Sequence, residues 1–306
     1  MTPYFSVIIA TYNRSKLLID TVKSVLDQEY GDFEIVIIDD ASTDDTQGVV
    51  KKTFTKQLVA KKIRYYRNMK NMERSYSRNL GMSAGKGKYL ALLDDDDKWK
   101  PDHLSTAVSF LEENDDVGLL LTNFTVYFEN GKTESGRKGI KSGKGDMYRD
   151  LCMFRELVSG SIYFIRKDVF DTLGGFKEGL EPCEDREYLS RIAMHYNVGY
   201  SAKSTVVKYT HSGSFTSKKT LQEHAFNREK TWQAIQENDK NSSYHLKAKV
   251  KGKWCLHLAS SFLPNSSKSK EYLKKAICLY PLSIFRKTLW RTIARMVYHA
   301  IKGTAY

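Results

Sequence analysis

No stretch of this chain reaches the roughly 18 to 20 consecutive apolar residues that a spanning helix needs, so none is expected. Met1-Thr2-Pro3-Tyr4 runs straight into a strand-like segment, without a basic leader before an apolar core, so no secretory signal is expected either. Cysteine is sparse: Cys152, Cys183, Cys255 and Cys278 form no CxxC pair, which argues against a zinc site or a disulfide framework. That usage suits a reducing compartment, here the cytoplasm. Glycine-rich phosphate loops are missing as well. Gly85-Lys86-Gly87-Lys88 lacks the GxxxxGK[ST] spacing and precedes a strand instead of following one, and there is no GxGxxG fingerprint.

Negative charge is in deficit. The 306 residues carry 49 Lys and Arg against 36 Asp and Glu, a formal net charge of +13, which points to anionic partners. Nucleic acid is not expected among them, because the basic residues are dispersed and form no recognition motif. Anionic membrane surfaces and anionic small substrates remain.

What the chain does have is alternation. Phe5–Ala10, Phe33–Ile38, Ile63–Arg67, Tyr89–Leu93, Val117–Asn123 and Gly160–Arg166 read as short, apolar, β-branched strands. Helical spacing fills the intervals, as where Leu18, Val22, Val25 and Leu26 share a face. Residues 71–84, 103–113, 168–173 and 184–196 also read as helices, and 130–145 as a loop or hairpin rim. The pattern predicts an α/β fold: a Rossmann-like, mostly parallel central sheet flanked by helices. From about residue 216 onward it predicts a basic helical extension.

Sheets of this kind bind ligands beyond the carboxyl ends of their strands. Three strands end there in polar clusters: Thr11-Tyr12-Asn13-Arg14, Asp39-Asp40, and the quartet Asp94-Asp95-Asp96-Asp97. Four adjacent carboxylates after a buried strand repel one another unless a cation offsets them. Mg²⁺ or Mn²⁺ suits such oxygen ligands and shares them with substrate phosphates. Asp94 and Asp96 point alike if the strand continues, so they form the natural pair; the bland reading is a solvated acidic turn. Asp39-Asp40 can accept hydrogen bonds from a base or ribose, or merely cap the next helix. Glu184-Asp185 opens a helix, where the dipole alone favours carboxylates; the alternative is a general base. His211 is a metal ligand, a phosphate contact or an ordinary loop histidine.

Taken together, these residues resemble glycosyltransferase family 2, the inverting enzymes of GT-A fold, of the bacterial surface-polysaccharide type. The resemblance rests on residues 7–14, 37–44, 77–81 and 89–99, and on Glu184-Asp185 followed by Arg191. It implies a nucleotide-sugar site made by Thr11, Tyr12, Asn13, Arg14, Asp39, Asp40, Arg78, Asp94 and Asp95. Asp96, Asp94 and His211 would hold Mn²⁺ or Mg²⁺, and Asp185 would be the catalytic base with Glu184 beside it. A UDP-sugar donor and a glycan or lipid-linked acceptor are implied. Where the family usually has glycine, this chain has Ala41.

Residues 1–215 are expected to form the catalytic domain, with a nucleotide-sugar half (1–123) and an acceptor half (124–215); residues 216–306 form the extension. There Lys287, Arg291, Arg295 and His299 oppose Phe285, Leu289, Ile293, Met296 and Ala300. This amphipathic pattern fits attachment to the inner face of an anionic membrane, or packing on protein. Trp254, Leu256, Leu263 and residues 272–280 are a second candidate apolar surface. The competing classes are a sugar nucleotidyltransferase and a non-catalytic nucleotide- or glycan-binding domain.

Overall fold

The computed structural model describes residues 2–136, 141–145, 147–148, 151, 159–180, 183–209, 221–239, 244–262, 266–279, 281 and 290–295. Two compact units result. The first comprises Met1–Met147 and Leu157–Ser212, the second Tyr148–Glu156 and Gly213–Tyr306. The strip 148–156 therefore groups with the extension.

Among the described residues, the first unit is built on one ten-stranded sheet. Its elements are β1 (Phe5–Thr11), α1 (Ser15–Leu26), β2 (Phe33–Asp39), α2 (Thr46–Thr53), α3 (Thr55–Val59), β3 (Ile63–Arg67), α4 (Glu73–Ala84), β4 (Tyr89–Leu92), β5 (Lys98–Trp99) and α5 (His103–Glu113). They continue with β6 (Val117–Tyr127), β7 (Thr133–Ser135), β8 (Gly143–Gly145), a 3₁₀ turn at Gly160–Ile162, β9 (Tyr163–Arg166), α6 (Lys167–Leu173), α7 (Glu184–Ala193) and β10 (Asn197–Tyr209). The strands run in the order β3-β2-β1-β4-β9-β6-β10-β5, with β7 on β6 and β8 on β10.

The fold is α/β, as the alternation predicts, and the sheet is mixed. β3, β2, β1 and β4 are mutually parallel, as are β6 and β10. Between these blocks β9 runs antiparallel to both β4 and β6. β2 is buried along its whole length and β1 almost so, which explains why both read as continuous apolar runs. Of β10, the sequence pattern shows only the β-branched run at 205–207. Pairing to β6 with register shifts extends it to thirteen residues.

The second unit contains α8 (Leu221–Asn238), α9 (Tyr244–Ser261) and α10 (Ser266–Leu279). Cys255, Leu258, Ala259 and Phe262 lie one helical turn apart along and just past α9, and Tyr272, Leu273 and Ala276 of α10 meet them. Trp254 is fully buried and stacks on Trp232 of α8 at 5.3 Å. The expected second apolar surface is thus consumed inside this unit: Trp254, Leu256, Tyr272 and Leu273 are all buried. Leu263 and Tyr280 lie outside the described residues, as do Phe285, Lys287, Leu289, Met296, His299 and Ala300 of the amphipathic pattern. Within 290–295, Ile293 packs on the α9–α10 core while Arg291 and Arg295 are exposed. Among the described residues no helix is long and apolar enough to cross a membrane.

One histidine is a core residue. His103 is fully buried between Trp99 and Phe164, with ring centroids at 4.2 and 5.1 Å, and its Nδ1 lies 2.7 Å from Thr205 Oγ1. Burial depresses its pKa to about 3. The unfolded chain takes up this proton near pH 6.5 and the native one does not, so the stability His103 contributes is present above 6.5 and lost as pH falls towards 3. Between pH 7 and pH 5 the loss from this group amounts to about 2 kcal/mol. Urea unfolding at the two pH values should show it, and His103→Gln should flatten the dependence.

Candidate active site

The parallel block β2-β1-β4 delivers three strand ends to one edge. Thr11 pairs with Asp39 in the β1–β2 register, and Ile8 with Leu92 in the β1–β4 register, so the acidic quartet follows directly beside both. The loop after β1 is knotted to the loop after β2. Asn13 adopts a left-handed backbone (φ 54°); its Oδ1 accepts from the Thr43 and Asp44 amides at 2.6 and 3.2 Å, and its own amide donates to Ser42 Oγ. Ala41 is left-handed too, at φ 62°. This is the position where the family favours glycine, and alanine tolerates the geometry at a cost of about 1–2 kcal/mol. The turn is fixed by Asp39, whose Oδ1 accepts from the Ser42 amide at 2.8 Å.

Asp39 is fully buried. Its Oδ2 accepts from the Tyr65 hydroxyl and lies 3.6 Å from Arg67 Nε. Asp40 is turned to structure: its Oδ1 accepts from Asn68 Nδ2 at 2.7 Å and from the Met72 amide at 2.8 Å, tying down the entry to α4. Tyr12 is exposed at the rim.

The quartet divides into two pairs by burial. Asp95 and Asp97 are buried, while Asp94 and Asp96 are partly exposed. Thr11 Oγ1 donates to Asp95 Oδ2 at 2.7 Å, and Arg14 Nη1 lies 2.8 Å from both Asp95 Oδ1 and Asp96 Oδ2. From α1, the Thr21 hydroxyl reaches the main-chain oxygens of Asp95 and Asp97. Asp97 accepts from the Ser161 hydroxyl and from the Lys208 ammonium. Burial raises the pKa of Asp95 to about 6 and of Asp97 to about 7, against the opposing pull of Arg14 and Lys208 respectively. Burial acts on Asp94 too, but Arg78, Lys208 and Arg74 together hold it well below the usual carboxylate range.

Arg78, buried on α4, is the junction of the site. Its Nη2 lies 2.5 Å from Asp94 Oδ1, and its Nη1 lies 3.2 Å from Glu184 Oε1 and 3.4 Å from Asp185 Oδ1. Glu184 is fully buried at the start of α7, where Arg74 Nη2 also meets Oε1 at 2.6 Å and Oε2 has no hydrogen-bond partner among the described residues. Burial pushes the Glu184 carboxyl up. Arg191, of the same motif, forms an ion pair with Glu187 and donates to the Leu173 and Gly175 carbonyls, which pins α7 to the end of α6.

Asp94, Asp96 and Asp97 place one carboxylate oxygen each within 4.8 Å of one another, a donor set of the hard, anionic kind that Mg²⁺ or Mn²⁺ takes. Charge agrees. Among the described residues, six carboxylates (Asp94 to Asp97, Glu184, Asp185), when ionised, face four cations (Arg14, Arg74, Arg78, Lys208) and leave two negative charges, which a divalent ion would match. The residues present therefore fit such an ion. His211 lies outside the described residues.

Several parts of the site escape sequence reasoning. Ser159-Gly160-Ser161 straps the quartet from the far side: Ser159 Oγ meets Lys208 Nζ at 2.8 Å, and Ser161 Oγ accepts from the Asp94 amide at 3.1 Å. Arg74 and Lys208 complete it. A Ser-Gly-Ser turn ahead of a buried strand was the available signal; nothing local marked Lys208.

A sheet of this topology, with an acidic turn after β4 and a carboxylate pair opening α7, defines the GT-A class of fold. Residues 6–174, more than half of the chain, match the profile described as "Glycosyl transferase family 2". The chain belongs to that family. An uncharacterised glycosyltransferase of Rickettsia conorii is 40% identical over 142 residues, which cover 45% of this chain and 22% of that protein. The chain thus spans about a fifth of the length of that relative. In Escherichia coli, the UDP-Glc:alpha-D-GlcNAc-diphosphoundecaprenol beta-1,3-glucosyltransferase WfaP is 36% identical over 107 residues, 35% of this chain and 41% of that one. Among solved structures, S. aureus TarS 1–349 in complex with UDP-GlcNAc superimposes with a TM-score of 0.73 at 19% identity, covering 99% of this chain and 93% of that chain. The mannosyltransferase PcManGT of Pyrobaculum calidifontis, in complex with GDP-Man and Mn²⁺, gives 0.61 at 18% identity, covering 99% and 87%. At these identities the likeness is one of fold.

Gly160 permits the Arg78–Asp94 contact. A Cβ there would overlap Arg78 Nη2 and lie 2.5 Å from Asp94 Oδ1. Gly160→Ala should part the pair and cost about 1–3 kcal/mol in urea unfolding, the range for overpacking a filled site.

Proposed function

We propose that this protein transfers a sugar from a nucleoside-diphosphate sugar to a hydroxyl of a glycan or lipid-linked acceptor, inverting the anomeric carbon. One observation carries the reading. A single guanidinium, Arg78, spans from Asp94 on the acidic turn to Asp185 at the start of α7, setting a donor-side carboxylate and a base-side carboxylate on its two arms. Strand ends β1, β2 and β4 form the nucleotide side, in residues 1–123. The acceptor side is assigned to the part of residues 124–215 that lies in the first unit.

In this reading Thr11, Tyr12, Arg14 and Asp39 line the nucleotide site, and Asn13 and Asp40 shape the loops that hold it. Asp94 and Asp96, with Asp97 behind them, would hold Mg²⁺ or Mn²⁺, which would supply positive charge to offset the negative charge developing on the leaving diphosphate. Asp185 takes the proton from the acceptor hydroxyl as its oxygen bonds to the anomeric carbon from the face opposite the diphosphate. Arg78 keeps Asp185 oriented and its charge balanced, and Glu184, locked by Arg74 and Arg78, fixes the start of α7. One displacement suffices, and no enzyme nucleophile is needed. UDP is the favoured nucleotide, since TarS was solved with UDP-GlcNAc and WfaP is named for UDP-Glc; the name of WfaP also motivates a lipid-linked acceptor.

Calorimetric titration of UDP, GDP, CDP and dTDP, with Mn²⁺ and then with EDTA, should show tight binding of one nucleotide that EDTA abolishes. Asp185→Asn should keep that binding while transfer falls by about 10²–10⁴-fold, the usual contribution of a positioned base. Unchanged turnover would remove Asp185 from the mechanism, and release of pyrophosphate instead of nucleoside diphosphate would indicate a nucleotidyltransferase.

A lipid-linked acceptor would place the enzyme at the cytoplasmic membrane face. Exposed Trp290 flanked by exposed Arg291 supports headgroup contact at that segment. Removing residues 281–306 should then abolish co-sedimentation with anionic liposomes; undiminished binding would reject the role.

A further inference from the structure

Lys208 stands near the carboxyl end of β10 with its ammonium inside the acidic turn. Nζ contacts the Asp97 carboxylate, lies 3.9 Å from Asp94 Oδ2, and is 2.8 Å from Ser159 Oγ. All three carboxylates that gather into the candidate cation cluster are thus partnered by cations of the chain itself, and Lys208 alone reaches two of them, Asp94 and Asp97, while Arg14 meets Asp96. Arg14, in the loop after β1, holds Asp95 and Asp96 through its Nη1, and Arg78, on α4, holds Asp94, Glu184 and Asp185 through both of its terminal nitrogens. Lysine instead brings a compact point charge on a flexible stem with three rotatable donors, a group able to change partners. A divalent ion shared by Asp94, Asp96 and Asp97 would sit among the same oxygens and be repelled by the ammonium.

We infer that Lys208 is a resident cation that competes with the divalent ion for the acidic turn, and that the donor diphosphate relieves the competition by giving the ammonium a second anionic partner. The inference rests on the nucleotide-sugar reading of the site. It makes the divalent ion bind weakly alone and tightly with nucleotide. By linkage, the ion strengthens nucleotide binding by the same factor. Lys208 is a positioning residue in this scheme: it sets when the ion binds and touches no reacting atom of the sugar.

The test uses the full chain. Free Mn²⁺ is measured by its electron paramagnetic resonance signal, without nucleotide and with UDP, in the wild type, Lys208→Met and Lys208→Arg. Without nucleotide, Lys208→Met should bind Mn²⁺ about tenfold more tightly, because one like charge has gone, and Lys208→Arg should resemble the wild type. In Lys208→Met the gain in Mn²⁺ affinity on adding UDP should shrink. Equal Mn²⁺ affinity in the wild type and Lys208→Met would overturn the inference. Lys208→Met leaves Asp97 buried with Ser161 but without its cation and can fail to fold, so a second measurement uses the wild type alone. Reductive methylation of Lys208, read by peptide mass spectrometry, should accelerate when Mn²⁺ is added and slow again when UDP follows. A rate indifferent to Mn²⁺ would equally overturn the inference. If the wild type binds no nucleotide with Mn²⁺ present, the donor reading and the relief by diphosphate fail together, while the arms without nucleotide still decide whether Lys208 competes.

Discussion

Four consecutive aspartates after a buried strand impose one condition on the rest of the first unit: their charge must be met from several directions at once. Two of the four are buried, and an unpaired buried carboxylate costs several kcal/mol. The chain answers with Thr11 and Arg14 from the loop after β1, Thr21 from α1, Arg78 from α4, the Ser159–Ser161 strap, and Lys208 from β10. Donors thus reach the same turn from a loop, two helices, the strap before β9 and the end of β10. The site is therefore not an addition to the fold. It is where the elements of the fold are held together.

The mixed sheet makes this convergence possible. β9 runs antiparallel between β4 and β6, and the turn that leads into it passes the quartet before the strand descends. A parallel strand in that slot would enter from the opposite edge and leave Asp97 without Ser161. β10 lies beyond β6, yet its carboxyl end returns to the same edge because it runs parallel to β6.

The parts that could be read from sequence share a physical trait: their signal is local. Apolar runs at 5–10, 33–38 and 89–93 fix three strands, and polar clusters after each mark the ligand edge. Glu184-Asp185 opens a helix, as its residue types suggest. Ala41 sits in a left-handed turn, legible only as a departure from the glycine that the family favours. Partnerships across long intervals could not be read. Asp40 spends its carboxylate on the Asn68 side chain and the Met72 amide, and Asn13 its side-chain carbonyl on amides of the next loop. Trp254 stacks on Trp232 of α8, and Tyr272 packs against Phe262, since an apolar stripe in the sequence does not say what covers it. Lys208 looks like any basic residue after a β-branched run until the strand is placed.

The distance along the chain between Asp97 and Lys208 has a consequence for biosynthesis. The two are 111 residues apart. At about 5–20 residues per second, the ribosome exposes the quartet roughly 6 to 22 seconds before its last counter-charge is made. Arg14 and Arg78 are available to Asp94, Asp95 and Asp96 as soon as β4 is made. The buried Asp97 waits for Lys208, so its ion pair is a contact that only a nearly complete first unit can make.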